Sequence, residues 1–222
     1  MIKLDNVTKF YKYKNKIHYV LNKVHFEFPT KTNIAILGHN GAGKSTLLRL
    51  IGGMESPNSG KIHTVGRISW PVGQTQGIQG SLTARDNIRF VTQIFGKSIE
   101  ESKQIISFVE NFAEIGKHFD MPVKTYSSGM KARINFGLSM AFDFDYYLVD
   151  ECTSVGDKSF RDKAKAMFDE KRKSSSIIMV SHNMTDLRAN CDVALYVNDG
   201  KVKLYEDVEE AIKLYQNYKR VG

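Results

Sequence analysis

Apolar positions recur along the 222-residue chain with two periods, near two and near 3.6, and the switches between them lay out its elements. Over residues 1–28 the alternation of Ile2, Leu4 and Val7, and later Val20, Val24, Phe26 and Phe28, predicts a small antiparallel sheet with one wet face. Between these runs, Phe10-Tyr11-Lys12-Tyr13 reads as a basic, aromatic loop. Ile34, Ala35, Ile36 and Leu37 predict a strand buried on both faces. Leu47, Leu48 and Ile51 then stripe a helix that Gly52 and Gly53 stop. Residues 57–60 read as a turn, and residues 67–70 as a short strand ended by Pro71. The polar stretch that follows, VGQTQGIQGSLT, reads as a mobile loop with a task.

Residues 82–95 predict a helix closed by Gly96. A second helix opens at Ser98, with Glu101 completing a capping box and Ile105, Phe108, Val109 and Phe112 on one face. These helices interrupt the strand–helix alternation, so about residues 82–128 read as a helical lobe inserted between two halves of a nucleotide-binding core. The whole of 1–222 is expected to be one domain of α/β class. A helix runs from Ser127 through Ile134 and Leu138 to Met140, followed by an apolar strand over residues 146–151. Phe160, Ala164, Met167 and Phe168 share the face of a further helix, and residues 177–180 form another buried strand. Asn198-Asp199-Gly200 predicts a hairpin turn, and Val208, Ala211, Ile212 and Tyr215 a closing amphipathic helix.

Composition adds bounds rather than a mechanism. Hydrophobic content of 41% and charged content of 25% are those of a globular protein with a core. The net charge of +8 is spread out, so it reads mainly as solvated surface rather than as a nucleic-acid arm. No apolar run reaches the 18 or more residues that cross a bilayer, and the first ten residues lack a signal-peptide core. A cytoplasmic location, at a membrane only if a partner holds it there, is expected. Cys152 and Cys191 are expected as free thiols.

The strand–turn–helix over residues 34–51 carries G-x-x-x-x-G-K-S, from Gly38 to Ser45. Its glycines let successive backbone N–H groups converge on an anion at the positive end of the new helix. Phosphate is the expected occupant, with Lys44 reaching the outer phosphates and the Ser45 hydroxyl on a bridging magnesium. Asp150 and Glu151, adjacent acids at the end of a buried strand, repel unless a cation lies near them. In a P-loop protein such a carboxylate, at the tip of the strand beside the loop, completes the magnesium shell, and a second polarises the attacking water. Ser127, Ser128 and Gly129 open a helix, and the residues alone leave two readings open: an ordinary cap, or donors to a phosphate. His182 falls at the tip of a parallel strand, where ligand sites of open sheets lie, although a histidine is more often structural.

The order of these parts resembles the ATP-binding cassette family over essentially the whole chain: phosphate loop, glutamine loop, helical lobe, YSSGM signature, VDE strand end, SVGD turn and VSH histidine. The resemblance implies a P-loop NTPase, with a RecA-like core, an N-terminal antiparallel β-subdomain and an inserted α-helical subdomain. It implies that Gly38, His39, Asn40, Gly41, Ala42, Gly43, Lys44, Ser45 and Thr46 bind the phosphates of ATP. Asp150 would hold Mg2+ with Ser45, Glu151 would activate water, His182 would contact the terminal phosphate, and Asp157 would sit at a subunit interface. Tyr11 is the expected adenine-stacking aromatic, with Tyr13 second. Gln74 falls at the family's usual glutamine position on magnesium, with Gln76 and Gln79 in the same loop. Tyr126, Ser127, Ser128, Gly129 and Met130 would cover the ATP of a second copy.

Within the family, YSSGMKAR, the upstream WPVGQTQGIQGSLT and SVGD resemble the branch that exports polysaccharide, capsular polysaccharide first. O-antigen or teichoic acid export is the second reading. The implied assembly is a homodimer of these subunits with two copies of an integral permease, on the cytoplasmic face of the inner membrane. The permease would dock around residues 74–87 and move the polymer, which this subunit would not touch. A soluble relative acting on nucleic acid or ribosomes is the rival, disfavoured because those relatives carry tandem cassettes or long coiled-coil insertions; no nucleic-acid partner is expected.

Overall fold

The structure, a computed structural model, describes residues 1–14, 16–73, 77–150 and 157–221, and of residues 218–221 the backbone alone. β1 (Ile2–Tyr13) and β2 (Lys16–Phe28) form a long antiparallel hairpin whose Ile2, Leu4, Val7, Leu21, Val24 and Phe28 are buried. Residues 10–13 are strand and not the expected loop: Phe10 pairs with Tyr19, Tyr11 with His18, Lys12 with Ile17 and Tyr13 with Lys16. Cross-strand aromatic and β-branched neighbours hold a ladder together even where both faces are wet, and the Phe10 and Tyr19 rings lie 5.6 Å apart.

β3 (Ile34–Leu37) leads into α1 (Lys44–Ile51), and β4 (Ser59–Thr64) returns to pair with β1. Only Ile62 among its six residues is a large apolar one, so β4 is held by its ladder and left no period in the sequence. The second sheet also takes β5 (Ile68–Pro71), β6 (Tyr146–Asp150), β7 (Ser176–Val180), β8 (Val193–Asn198) and β9 (Lys201–Tyr205). Its order is β5-β6-β7-β3-β8-β9, parallel throughout except for the β8–β9 hairpin. The phosphate-loop strand β3 is therefore central, flanked by β7 and β8. The strand ending in Asp150 is two places from β3, with β7 between. Buried runs without alternation reveal that a strand is internal but not which neighbour it takes.

The chain divides into two compact units. The first holds the described residues within 1–71, 144–151 and 174–222, and the second those within 72–143 and 152–173. In the first, one core joins Leu4, Leu21 and Phe28 of the hairpin to Ile36, Leu47, Leu148, Val180 and Leu195. α6 (Met184–Asn190), not anticipated from periodicity, and α7 (Val208–Val221) complete it; Val208, Ala211, Ile212 and Tyr215 of α7 are buried, as their spacing predicts.

The second unit is helical: α2 (Ala84–Ile94), α3 (Ile99–Ala113), α4 (Ser128–Met140) and α5 (Lys158–Arg172). Ser98 and Glu101 form both hydrogen bonds of the capping box. Phe112 of α3 stacks on Phe136 of α4 at 5.8 Å and meets Phe160 of α5 edge-on at 5.4 Å. Of the shared face expected on α5, Phe160 alone is fully buried.

Candidate functional site: a glycine-capped phosphate loop and a serine-capped helix

In the first unit, residues 38–43 turn sharply between β3 and α1. Gly43 stands at the N-cap of α1 with φ of 101° and offers no side-chain cap. A Cβ there would run into the Val20 side chain on β2, and one on Gly38 into the Val197 carbonyl of β8. The loop is thus pressed onto β2 and β8 by contacts that only glycine permits. No acidic residue occupies the first turn of α1, so its positive end faces the cleft without a built-in anion. By contrast α2, α3, α4, α5 and α6 are capped by the side chains of Thr83, Ser98, Ser127, Asp157 and Asn183.

Lys44 Nζ folds back over the loop and donates to the carbonyls of Gly38 at 2.9 Å and His39 at 3.0 Å. His39 Nδ1 lies 2.8 Å from the carbonyl of Asn40, and Ala42 N–H closes a turn onto the His39 carbonyl at 3.1 Å. Ser45 Oγ lies 3.4 Å from Asp150 Oδ1, so α1 and the tip of β6 bring a hydroxyl and a carboxylate together. Hard oxygens in that number suit Mg2+, which takes one or two protein ligands and completes its shell with phosphate and water. Among the described residues there is no group of three or more His, Cys, Asp or Glu side chains that could hold a metal ion by itself. β3 and β7 are paired in register, Ile36 with Val180, so His182 emerges two residues past β7 on the edge that carries the loop. Its Nδ1 lies 3.3 Å from Tyr215 Oη on α7.

A cleft of about 280 Å³ opens beside the loop, lined by Gly41, Gly43, Lys44, Ser45, Thr46, Tyr11, His18 and Val20. Tyr11 stands on its wall, 39% exposed, and Tyr13, 74% exposed, is not part of the lining. The sequence reading missed His18 and Val20. Their signal was available: once Tyr11 is placed on a strand, its cross-strand partner His18 shares its face.

In the second unit, Ser127 caps α4 by accepting the Met130 N–H at 3.2 Å, so the capping reading of these residues holds in the structure. Ser128 begins the helix and is exposed, while Gly129 and Met130 are half-buried. Tyr126 is buried beneath them, donates to the Phe119 carbonyl at 3.3 Å, and has its phenol pKa pushed up by that burial. A cavity of about 470 Å³ is lined by Ser127, Gly129, Met130, Arg133, Asp157, Glu114, Ile115 and His118. Arg133, missed from sequence, donates to Asp157 at 3.0 Å and to the Ala113 carbonyl at 3.2 Å, with its guanidinium 4.6 Å from the Phe160 ring. Asp157 also caps α5 through Phe160 N–H. Lys163 joins α5 to Glu114 at 2.6 Å, which holds the Glu114 carboxyl below its usual range.

Glu151, Cys152, Gln74 and Gln76 lie outside the described residues. Gln79 is described: its N–H donates to Asn87 Oδ1 at 2.7 Å and its carbonyl accepts from Asn87 Nδ2 at 3.0 Å. Asn87, fully buried on α2, thereby ties down the end of the glutamine-rich loop.

Residues 21–154 match the family model described as ABC transporter. The chain is 52% identical over 219 residues to the Polysialic acid transport ATP-binding protein KpsT of Escherichia coli, covering 98% of this chain and 97% of that protein. It is 44% identical to the Capsule polysaccharide export ATP-binding protein CtrD of Neisseria meningitidis serogroup B, covering 98% and 99%. Among solved structures, the dimeric, post-hydrolysis ATP-binding cassette MJ0796 bound to ADP and Pi superposes with a TM-score of 0.75 over 93% of this chain and 98% of that one, at 24% identity. An expected α/β P-loop cassette, a phosphate loop in the strand–turn–helix setting that its motif requires, and a family match over most of the chain agree: the protein belongs to the ABC transporter family, as an ATP-binding cassette.

Proposed function

We propose that the chain is the ATP-hydrolysing subunit of an exporter of capsular polysaccharide. The observation that carries this is the 52% and 44% identity, nearly end to end, to proteins named for polysialic acid transport and capsule polysaccharide export. Teichoic acid export is the second reading, since the Teichoic acids export ATP-binding protein TagH of Bacillus cereus is 37% identical, but over only 42% of its own length.

The geometry supports a division of labour between the units. The phosphate chain of ATP would lie across the uncapped N-terminus of α1, where residues 38–46 offer N–H groups and the Lys44 ammonium, which would leave the Gly38 and His39 carbonyls to meet it. Ser45 and Asp150 would hold Mg2+, which neutralises charge on the phosphates. Glu151 would orient and deprotonate the attacking water, and His182 would contact the terminal phosphate. The adenine would stack on Tyr11 in the cleft that Tyr11 and His18 wall.

One copy of this site leaves the outer side of the terminal phosphate to water. The exposed Ser128 hydroxyl and the Gly129 N–H at the start of α4 suit that side when presented by a second copy, with Asp157 at the same junction. ATP would then be part of a dimer interface that hydrolysis weakens, and opening would be transmitted to two permease subunits. Exposed Leu82 and Phe90 on and before α2, next to the Gln79–Asn87 clamp, suit such a docking face. Among the described residues no helix is long and apolar enough to cross a membrane, so the polymer's path would belong to the permease at whose cytoplasmic side this subunit sits.

Genetic replacement in the source cell tests the proposal. Loss of the gene is expected to leave polysaccharide inside the cell, the native gene to restore it to the surface, and Lys44→Ala to fail at normal protein levels. Unchanged surface polysaccharide after deletion would contradict it.

A further inference from the structure

The wall of the nucleotide cleft contains a connected set of side chains built around Tyr11 and Glu55. Tyr11 Oη lies 2.8 Å from Glu55 Oε1 and 2.9 Å from Oε2, so the phenol can donate to either carboxylate oxygen. The same oxygen is 3.5 Å from Thr46 Oγ1 on α1. Glu55 is held in turn: Lys9 Nζ and Arg49 Nε each lie 3.8 Å from its Oε2. Lys9 Nζ, on a side chain only 10% exposed, donates to the Ser56 carbonyl at 2.9 Å and stands 5.2 Å from the centre of the Tyr11 ring. Arg49 donates to Thr46 Oγ1 at 3.1 Å.

We propose that Glu55 is a positioning residue for base recognition: by gripping the Tyr11 hydroxyl it fixes the ring as a rigid platform in the cleft shared with His18. A surface tyrosine on a two-stranded ribbon is otherwise free to rotate about two side-chain bonds, and ordering it on binding costs affinity. Here that ordering is done beforehand, by one charge-assisted hydrogen bond whose acceptor is braced by two cations. The neighbouring Lys9 ammonium, close to the ring, favours an electron-rich aromatic held in place rather than one that swings. The residues involved sit on β1, on α1 and on the segment after it, so the platform registers the hairpin against the phosphate-binding helix. The proposal rests on Tyr11 being the base-stacking residue.

The test compares ATP with inorganic tripolyphosphate, a probe that keeps the phosphates and lacks the base, each titrated with magnesium into the full chain. Tyr11→Phe and Glu55→Ala are each expected to weaken ATP binding about three- to tenfold, the cost of ordering one side chain on binding. The double variant is expected to lose no more than the worse single variant, because both changes delete the same bond. Glu55→Gln, which keeps an acceptor, recovers to within about twofold, and the KM for ATP follows the same order. Affinity for tripolyphosphate is expected to stay level in all of them. Equal losses for both probes would make Glu55 a support of α1 and overturn the proposal, as would native ATP affinity in both single variants. Tyr11→Ala separates the two layers. If it binds ATP normally the stacking reading itself falls, and if it fails while Tyr11→Phe binds normally only the anchoring falls.

Discussion

Two helix N-termini in this chain are built on opposite plans. α1 begins at Gly43, without a side-chain cap and without an acid in its first turn. α4 begins at Ser127, whose hydroxyl already occupies the Met130 amide. An uncapped helix start leaves its positive end available to a ligand, whereas a capped one has met part of its own need. The first plan suits a site that binds an anion within one chain. The second suits an auxiliary site, whose remaining donors, Ser128 and Gly129, would serve an anion brought to them by another copy, as proposed above.

The largest effects are expected where the first plan is broken. Lys44→Ala should lower ATP turnover about a hundredfold or more, measured by phosphate release. Gly43→Ala should do the same by driving a methyl into Val20, and circular dichroism should show the fold retained. Breaking the second plan should give a different signature. Gly129→Asp places a negative charge at the start of α4 and is expected to cost about a hundredfold in turnover of the assembled transporter, with nucleotide affinity of the isolated chain within about twofold of native. Loss of affinity in the isolated chain would mean that the two termini do not divide the work as described.

A smaller effect is expected at Arg133, which binds the Ala113 carbonyl, Asp157 and the face of Phe160 and so ties α4 to α3 and α5. Arg133→Ala should destabilise the helical unit by roughly 1–2 kcal/mol in urea unfolding, and Arg133→Lys by less. Smallest is the capping box of α3. The Ser98 N–H and hydroxyl and the Lys97 ammonium hold the Glu101 carboxyl down at about 2, against an ordinary 4.5. Because the folded value is the lower one, this stabilisation is present above pH 4.5 and is lost as the pH falls toward 2. Glu101→Gln should lower the melting temperature by about a degree at pH 7 and flatten its acid dependence across that window.

Much of both regions was legible in the residues alone. Buried strands announce themselves as apolar runs, the phosphate loop by its glycine spacing, and the α3 cap by Ser98 and Glu101. What stayed hidden had no period to show. β4 is polar and exists by pairing with β1, residues 10–13 look like a loop until the strand opposite is known, and α6 spans only seven residues. The placement of β7 between β3 and β6 is a property of the sheet and not of any one strand. The site residues that were missed, His18, Val20 and Arg133, meet partners distant in sequence or on another element, which a linear pattern does not record.

The central claim is that ATP bound at the glycine-capped terminus of one copy is covered by the serine-capped terminus of another. The direct measurement is the molar mass, by light scattering, of the isolated Glu151→Gln chain with ATP and magnesium, against Glu151→Gln combined with Gly129→Asp. A dimer in the first and a monomer in the second are predicted. Monomers in both with ATP bound, or dimers in both, would contradict it.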